Sequence, residues 1–474
     1  MSSIICLILH RLTWLVGLLL VGNTAIAQTT ETLTGLYKAA RLSDPVFSAA
    51  VSTFEAQKQD LPRARSALLP TISGFAEYAE GRRREQDSPF EGFGSDFGGS
   101  RDTESQTYGV RLSQTIYNHG LFSAVRQARA QVDIAELDYL QAENDLIIRV
   151  AEAYFATLTA QNNLRFAEKE QQAVQRQLRE ADERFEVGFI AVTDVREAQA
   201  RFDLAVADTI AAENEQFNAY EGLRALTGVY SPPLSLLTEE LELVMPDPAT
   251  ASAWVDLALE NNLELRTARA NREVAKFEAK RAHAQHYPTL ELEASHVFND
   301  EDGSAFGSLQ AETTEYRLRL NVPVFEGGLT HATSRQAAFR YSATKDQYLA
   351  TQRQVVQQTR NAFQQTLAQI SRVRALARAL NSTQVAYEAV QSGFEVGSRT
   401  TTEVILALQD TLRAQSEYLS AQYSYLLSIL QLKQAAGLLS ELDLMAVNEQ
   451  LVTVPAGPVD SSTPDSAIQS VLAP

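Results

Sequence analysis

His283 and His286 stand three residues apart, a spacing that on a helix turns two imidazoles to one face and is the chain's nearest approach to a metal site. No third ligand stands nearby in the sequence, so no metal centre is expected. His119 and His331 occupy matching junctions after expected strands and read as isolated surface or packing residues. Cys6 is the single cysteine, which excludes a disulfide framework and a cysteine-based metal site. Neither a Gly-rich phosphate loop nor a nucleophile elbow occurs, so neither an enzyme nor a cofactor is expected. The 59 Asp and Glu outnumber the 41 Lys and Arg, for a net charge of −18. That balance disfavours nucleic acid as a partner, because phosphate needs basic patches. Most acids read as solvated helix faces. Thr193-Asp194 and Thr400…Glu403 are more specific: both sit where a helix would begin, and both suit N-capping at its positive end.

These groups need elements to hold them. Residues 1–27 read as a secretory signal peptide, with Arg11 before the apolar run Leu12–Val21 and a small-x-small site at Ala25-Ile26-Ala27. No later segment offers the roughly 18 apolar residues of a membrane-spanning helix, so a mature chain that spans a membrane must do so with strands.

The chain reads as two copies of one unit. Phe185-Glu186-Val187-Gly188 recurs as Phe394-Glu395-Val396-Gly397, and Asp194-Val195 as Glu403-Val404 at the same distance beyond. Tyr108–Tyr117 matches Tyr316–Phe325, and Arg63-Ala64…Pro70 matches Arg281-Ala282…Pro288. Each half begins with a helix, over 32–68 (with a kink or break expected at Pro62) and over 251–286. Two strands separated by a polar loop follow, and then a very long helix. With 22 Gly and 14 Pro in 474 residues, punctuation falls well below the roughly 12% of average usage. None occurs from Leu121 to Val187 or from Leu329 to Ser392, enough for helices on the order of 100 Å. After each Phe-Glu-Val-Gly turn a second helix returns, over 193–226 and 400–436, which makes antiparallel hairpins. Val125, Val132, Tyr139 and Leu146 recur at heptad spacing with Ala128, Ala135 and Ala142 between them. A second stripe, Leu140, Ile147 and Tyr154, predicts neighbours on two sides, as in a ring of helices; an isolated hairpin or filament rod is the alternative.

Tyr316, Leu318, Leu320, Val322 and Val324 alternate with Glu315, Arg317, Arg319 and Asn321, and similar alternation runs through 107–116 and 290–295. Such segments suit a transmembrane β-barrel wall and equally a half-buried soluble sheet. Four strands cannot close a barrel, but several copies of the chain can share one. The Gly- and charge-rich stretches 80–106 and 299–314 are expected to be external loops. Three classes remain: an export conduit, a structural or adhesive coiled coil of the envelope, and a soluble periplasmic binding module.

The two turns Arg184–Val195 and Gly393–Val404, together with Arg65–Pro70, Val322–Gly328 and Gly437–Leu444, resemble the TolC family of outer-membrane efflux and secretion channels, in both halves and in order. Within it, the resemblance is to the form with an Ala-x-Ala site and no lipid-attachment cysteine. The resemblance implies a mixed α and β fold. Four transmembrane strands per chain would complete a twelve-stranded barrel in a homotrimer, and the long hairpins an α-barrel through the periplasm. It divides the chain into repeats at 28–230 and 251–437 and equatorial segments at 231–250 and 438–450, with 451–474 read as a disordered tail. It implies location in the outer membrane, in contact with its lipid and extending into the periplasm. The implied partners are a periplasmic adaptor (membrane fusion) protein and an inner-membrane pump of RND, ABC or MFS type; the cargo is drugs, toxic small molecules or secreted proteins.

For the periplasmic mouth, the resemblance makes Arg399 the linking arginine of a closed gate and Thr193 and Asp194 its partners. Phe394 replaces the family's gate tyrosine, so one hydrogen bond to Asp194 is lost. Glu403 keeps one entrance acidic ring while Leu406 occupies the second, so a weaker gate and a less acidic mouth are expected. Val187, Gly188, Phe189, Val396, Gly397 and Ser398 are the expected adaptor contacts, and both glycines suit a left-handed turn.

Overall fold

The computed structural model describes residues 32–84, 100–230, 233–237, 241–304, 307–396 and 398–452. The expected signal peptide and residues 453–474 of the expected tail lie outside the described residues. The stretch expected as one helix over 32–68 is three: α1 (Leu33–Ser43), α2 (Pro45–Lys58) and α3 (Asp60–Ser66). Asp44 makes the first break. Its carboxylate accepts from Phe47 N at 3.0 Å, and Pro45 takes the first helical position, where its missing N–H is not needed. The second break falls at Gln59, and Pro62 is absorbed in the first turn of α3, whose amides have no acceptor in the helix. Farther on, α6 (Ala251–Asn261) and α7 (Leu263–His283) are separated by Asn262. Its side chain accepts from Leu265 N at 3.0 Å and donates to Ala435 O at 2.9 Å.

The long helices are α4 (His119–Glu186, 68 residues) and α8 (Leu329–Glu395, 67 residues), each about 100 Å long. The returning helices α5 (Val192–Thr227) and α9 (Thr401–Ala436) have 36 residues each, so they reach only part-way back. Above them the shorter helices fill the gap: α1, α2 and α3 lie along α4, and α7 lies between α4 and α8. The result is a wall of four helical columns: α1–α3 with α5, then α4, then α6–α7 with α9, then α8.

A four-stranded antiparallel sheet continues the wall, in the order β1 (Thr71–Arg84), β2 (Ser100–Tyr117), β4 (Thr289–Ser304), β5 (Gly307–Asn321). Each strand joins its own column, so strand order and column order agree. In register, Ile72, Leu112, Ala294 and Tyr316 form one row, while Thr71, Ser113, Glu293 and Arg317 form the row beside it on the other face. One face is therefore apolar and the other charged.

The stretches expected as loops 80–106 and 299–314 are strand, apart from 85–99 and 305–306, which lie outside the described residues. Cross-strand pairing lets a charged, Gly-containing sequence stay extended: Arg82 pairs with Asp102 at 2.6 Å, and Gln310 donates to Asp300 at 3.0 Å. At the other end β5 stops at Asn321, short of the alternation expected through Val324, because Pro323 has no N–H for a ladder.

The main core lies around the upper middle of α4, where Leu33, Leu36, Tyr37, Leu146, Leu158 and Leu444 are fully or almost fully buried. Each contributes about 1.5–3 kcal/mol relative to exposure, and burial pushes the Tyr37 phenol up to about 12. Of the first heptad stripe, Tyr139 stacks on Phe54 of α2 at 5.4 Å. In the second, Tyr154 donates to Ser235 O at 2.7 Å, and it shares a core with Ile147, Leu223 of α5, Leu426 of α9 and the connecting-segment residues Leu234 and Leu439; α4 has helical neighbours on both sides. Two residues of the expected tail, Leu451–Val452 (β6), pair with Leu236–Leu237 (β3); the short helix α10 (Glu441–Glu449) precedes them.

Asp44 also carries an ion pair across the columns. Its side chain is 3% exposed and lies 2.6 Å from Arg149 of α4. Burial alone would raise its carboxyl, but the hydrogen bonds from Arg149 and Phe47 hold it below the usual range. The stabilisation is therefore present above the ordinary Asp pKa of about 3.9 and is lost as pH falls through the depressed value. Asp44→Ala should cost about 3 kcal/mol through the lost cap and the stranded guanidinium. Asp44→Asn should recover part of this as a cap, and denaturant midpoints at neutral pH check the order.

Candidate functional site

The described residues expected at the periplasmic mouth lie at the two hairpin tips. At the first tip α4 ends at Glu186, and Gly188 takes φ +79°, with Gly188 N donating to Phe185 O and Phe189 N to Arg184 O, both at 2.9 Å. The returning helix α5 starts at Val192, so its N-cap is Ala191 rather than Thr193. Ala191 has no side-chain acceptor, and Asp194 closes half of a capping box by accepting from Ala191 N at 3.4 Å. Thr193 Oγ1 donates to the other carboxylate oxygen at 3.4 Å.

The second tip is bound more tightly. Thr400 caps α9 by accepting from Glu403 N at 3.3 Å, and Glu403 Oε2 accepts from Thr400 N at 2.8 Å. Glu403 Oε1 accepts from Arg399 at 2.8 Å. The backbone N–H of Thr400, followed by Arg399 and the Thr400 hydroxyl, holds the Glu403 carboxyl below its usual range. Glu403 thus completes the capping box of α9. Gly393 makes the arrangement possible, since a Cβ there would fall 2.7 Å from Arg399 Cγ. Gly397 lies outside the described residues.

Asp194, Phe394 and Arg399 line one cavity of about 370 Å³ between the tips; Thr193 and Glu403 stand outside its lining. Within the chain Arg399 pairs with Glu403, and among the described residues it makes no ion pair with Asp194. Arg184, which begins the first turn motif but drew no role from it, sits 5.9 Å from the centroid of the Phe394 ring and pairs with Glu180 at 2.5 Å. The ring that cannot donate to Asp194 thus has a cation over its face. Val187, Phe189 and Val396 are 66%, 82% and 79% exposed at the tip ends, and Leu406, in the place of the second acidic ring, is 47% exposed.

A family model described as outer membrane efflux protein matches residues 36–229 and again 254–438. The chain belongs to the outer membrane efflux protein family. The outer membrane protein TolC of Vibrio cholerae is 34% identical over 433 residues, covering 91% of this chain and 96% of the relative. The alkaline protease secretion protein AprF of Pseudomonas aeruginosa is 31% identical over 458 residues, covering 96% and 94%. Among solved structures, the CmeC outer membrane channel of Campylobacter jejuni superposes with a TM-score of 0.75 at 17% identity over 89% of each chain. This efflux-family chain is an outer-membrane channel for efflux or secretion. Its relatives are transport channels rather than enzymes, and the alternative of a structural or adhesive envelope protein finds no support among them.

Because a depressed carboxyl stabilises above its ordinary pKa and stops doing so as pH falls through the lowered one, acid should loosen the second tip. A spin label at Ser398→Cys should gain mobility on acidification below about pH 4, the ordinary Glu range. The same label in Glu403→Gln should be mobile already at pH 7 and change little. Equal responses in the two would refute the assignment.

Proposed function

We propose that three copies of the chain form one export duct, with twelve strands closing a barrel in the outer membrane and the helical columns continuing it into the periplasm. The observation that carries this is the pair of free edges on the sheet, β1 and β5, with 14 and 15 residues. Unpaired backbone groups in hydrocarbon cost several kcal/mol each, and four strands are too few for the smallest known barrels of about eight. Pairing β5 of one copy with β1 of the next satisfies both edges by rotation alone. Strands of 14 to 18 residues exceed the roughly ten needed to cross the bilayer, so the sheet also extends beyond it.

An ancestral duplication accounts for the two halves. Thr157 of α4 donates to Ala219 O of α5, and Thr366 of α8 donates to Ser428 O of α9, both at 3.3 Å and at corresponding positions. The exposed apolar ends of the tips, Val187, Phe189 and Val396, with Gly188 and Ser398 beside them, are the docking points for a periplasmic adaptor, and through it an inner-membrane pump of RND, ABC or MFS type; Gly397, expected among these contacts, lies outside the described residues. Selection among drugs, toxic small molecules and secreted proteins then rests with the pump.

The gate is the ring of tips. Arg399 has guanidinium donors beyond the one used by Glu403, and Asp194 borders the same cavity. A link from Arg399 of one copy to Thr193 and Asp194 of the next closes the mouth, with Glu403 giving it a ring of three carboxylates. The gate is a weak one, because Phe394 supplies no hydroxyl. In a planar bilayer the purified protein should form discrete conductances, and Arg399→Ala should raise the single-channel value several-fold. Unchanged conductance in an intact Arg399→Ala assembly refutes the gate; a detergent-free soluble particle refutes the duct.

A further inference from the structure

Just below the sheet, α4, α7 and α8 border a cleft of about 570 Å³. His119 and Arg126 of α4 and Lys276, Lys280 and His283 of α7 line it, with Tyr287 at its upper edge and Tyr341 across from them; no carboxylate is in the lining. Lys276 is partly neutralised by Glu273 at 2.7 Å. Arg126 and Lys280 have no carboxylate partner among the described residues; Lys280 lies 5.5 Å from the Phe277 ring centroid. In a chain with a net charge of −18, an acid-free cleft with free cations is a feature with no part in the duct's barrel or gate.

Its level and direction are defined. His119 lies two residues beyond the end of β2, and Tyr287 two residues before the start of β4, so the cleft sits where the strands leave the membrane on the periplasmic side. Tyr117, Phe122 and Tyr287 are each about 40% exposed at this level, which suits the aromatic girdle of a bilayer interface. Around α4, the buried rows Ala128, Ala135 and Ser123, Ala130, Leu137 mark its two neighbours. At about 100° per residue these rows are not diametrically opposed. The wider arc between them exposes Phe122, Arg126, Arg129, Asp133 and Glu136, and the narrower arc exposes Gln131 and Asp138. In a curved wall the wider arc is the convex side, so Arg126 and the cleft face away from the channel axis, toward the lipid headgroups.

We propose that this cleft binds the phosphate of an anionic glycerophospholipid from the periplasmic leaflet. Arg126 and Lys280 are its charge partners, and the Tyr287 and Tyr341 hydroxyls are additional donors. A guanidinium offers paired donors that match phosphate geometry. The apolar face of the sheet, beginning at Leu290 and Leu320, receives the acyl chains. Such a site fixes the depth of the channel in the bilayer by a polar contact on its convex surface, independently of whether the tips act as a gate.

Native mass spectrometry of the full-length assembly in detergent tests this, with phosphatidylglycerol, phosphatidylethanolamine and inorganic phosphate added in separate titrations. Phosphatidylglycerol should be retained in preference to phosphatidylethanolamine, and millimolar inorganic phosphate should not displace it. Arg126→Gln with Lys280→Gln should weaken retention about twenty-five-fold, at roughly fivefold per charge. Arg126→Lys with Lys280→Arg should restore most of it. Removing the same charge far from the membrane, with Arg372→Gln and Arg378→Gln, should change nothing. If the double variant does not assemble, Lys280→Gln alone should show the fivefold loss. Equal retention in the cleft variant and the distant control overturns the site, and displacement by inorganic phosphate overturns the lipid as its source.

Discussion

A backbone amide in hydrocarbon has no water to turn to, and in the proposed duct that constraint organises the chain from one end to the other. The sheet satisfies its inner ladders by itself and leaves two rows of donors and acceptors at β1 and β5. Because each strand continues into its own helical column, whatever satisfies those two edges also sets which helices meet below them. Strand order, column order and the placement of the short upper helices are then one arrangement rather than three. In the proposed trimer, every edge is met by the same pairing.

The helical part obeys a different constraint, that of keeping columns close over about 100 Å. Small residues do this along the seams. Several of them are threonines whose hydroxyls donate back to the carbonyl four residues earlier: Thr157 to Ala153, Thr359 to Val355, Thr366 to Ala362 and Thr411 to Ala407. A buried hydroxyl costs free energy unless it is bonded; these four also reach across the seam to the carbonyls of Ala219, Ala435, Ser428 and Thr383, at 3.3, 3.4, 3.3 and 3.2 Å, so each engages its own helix and its neighbour. Larger side chains gather where the wall thickens, around Tyr154, Tyr423 and the segments near Leu234 and Leu439.

Much of this was legible in the sequence because it depends on local chemistry. The absence of Gly and Pro foretold α4 and α8, alternation foretold the faces of the sheet, and the Phe-Glu-Val-Gly turns located the tips. What was not legible depends on partners distant in sequence. The arms of the hairpins read as loops because Arg82 and Asp102 stabilise each other only once paired. Pro62 read as the point of breakage because the cap formed by Asp44 draws its value from Arg149, which lies in another column. At the mouth, the capping box of Glu403 was visible from Thr400, whereas Arg184 over Phe394 required two tips that are far apart in the chain to be side by side.

The threonine seams also decide what kind of motion the wall allows. Long interdigitated side chains would lock two helices in rotation, because turning one forces the other's side chains out of their wells. A threonine hydroxyl bonded to the facing helix's carbonyl does the same, since turning either helix breaks that bond, while the backbone ladder keeps each helix stiff along its length. The wall behaves as a bundle of stiff rods pinned against twisting at the level of Tyr154, through Thr157 and Thr366, and again nearer the tips through Thr411.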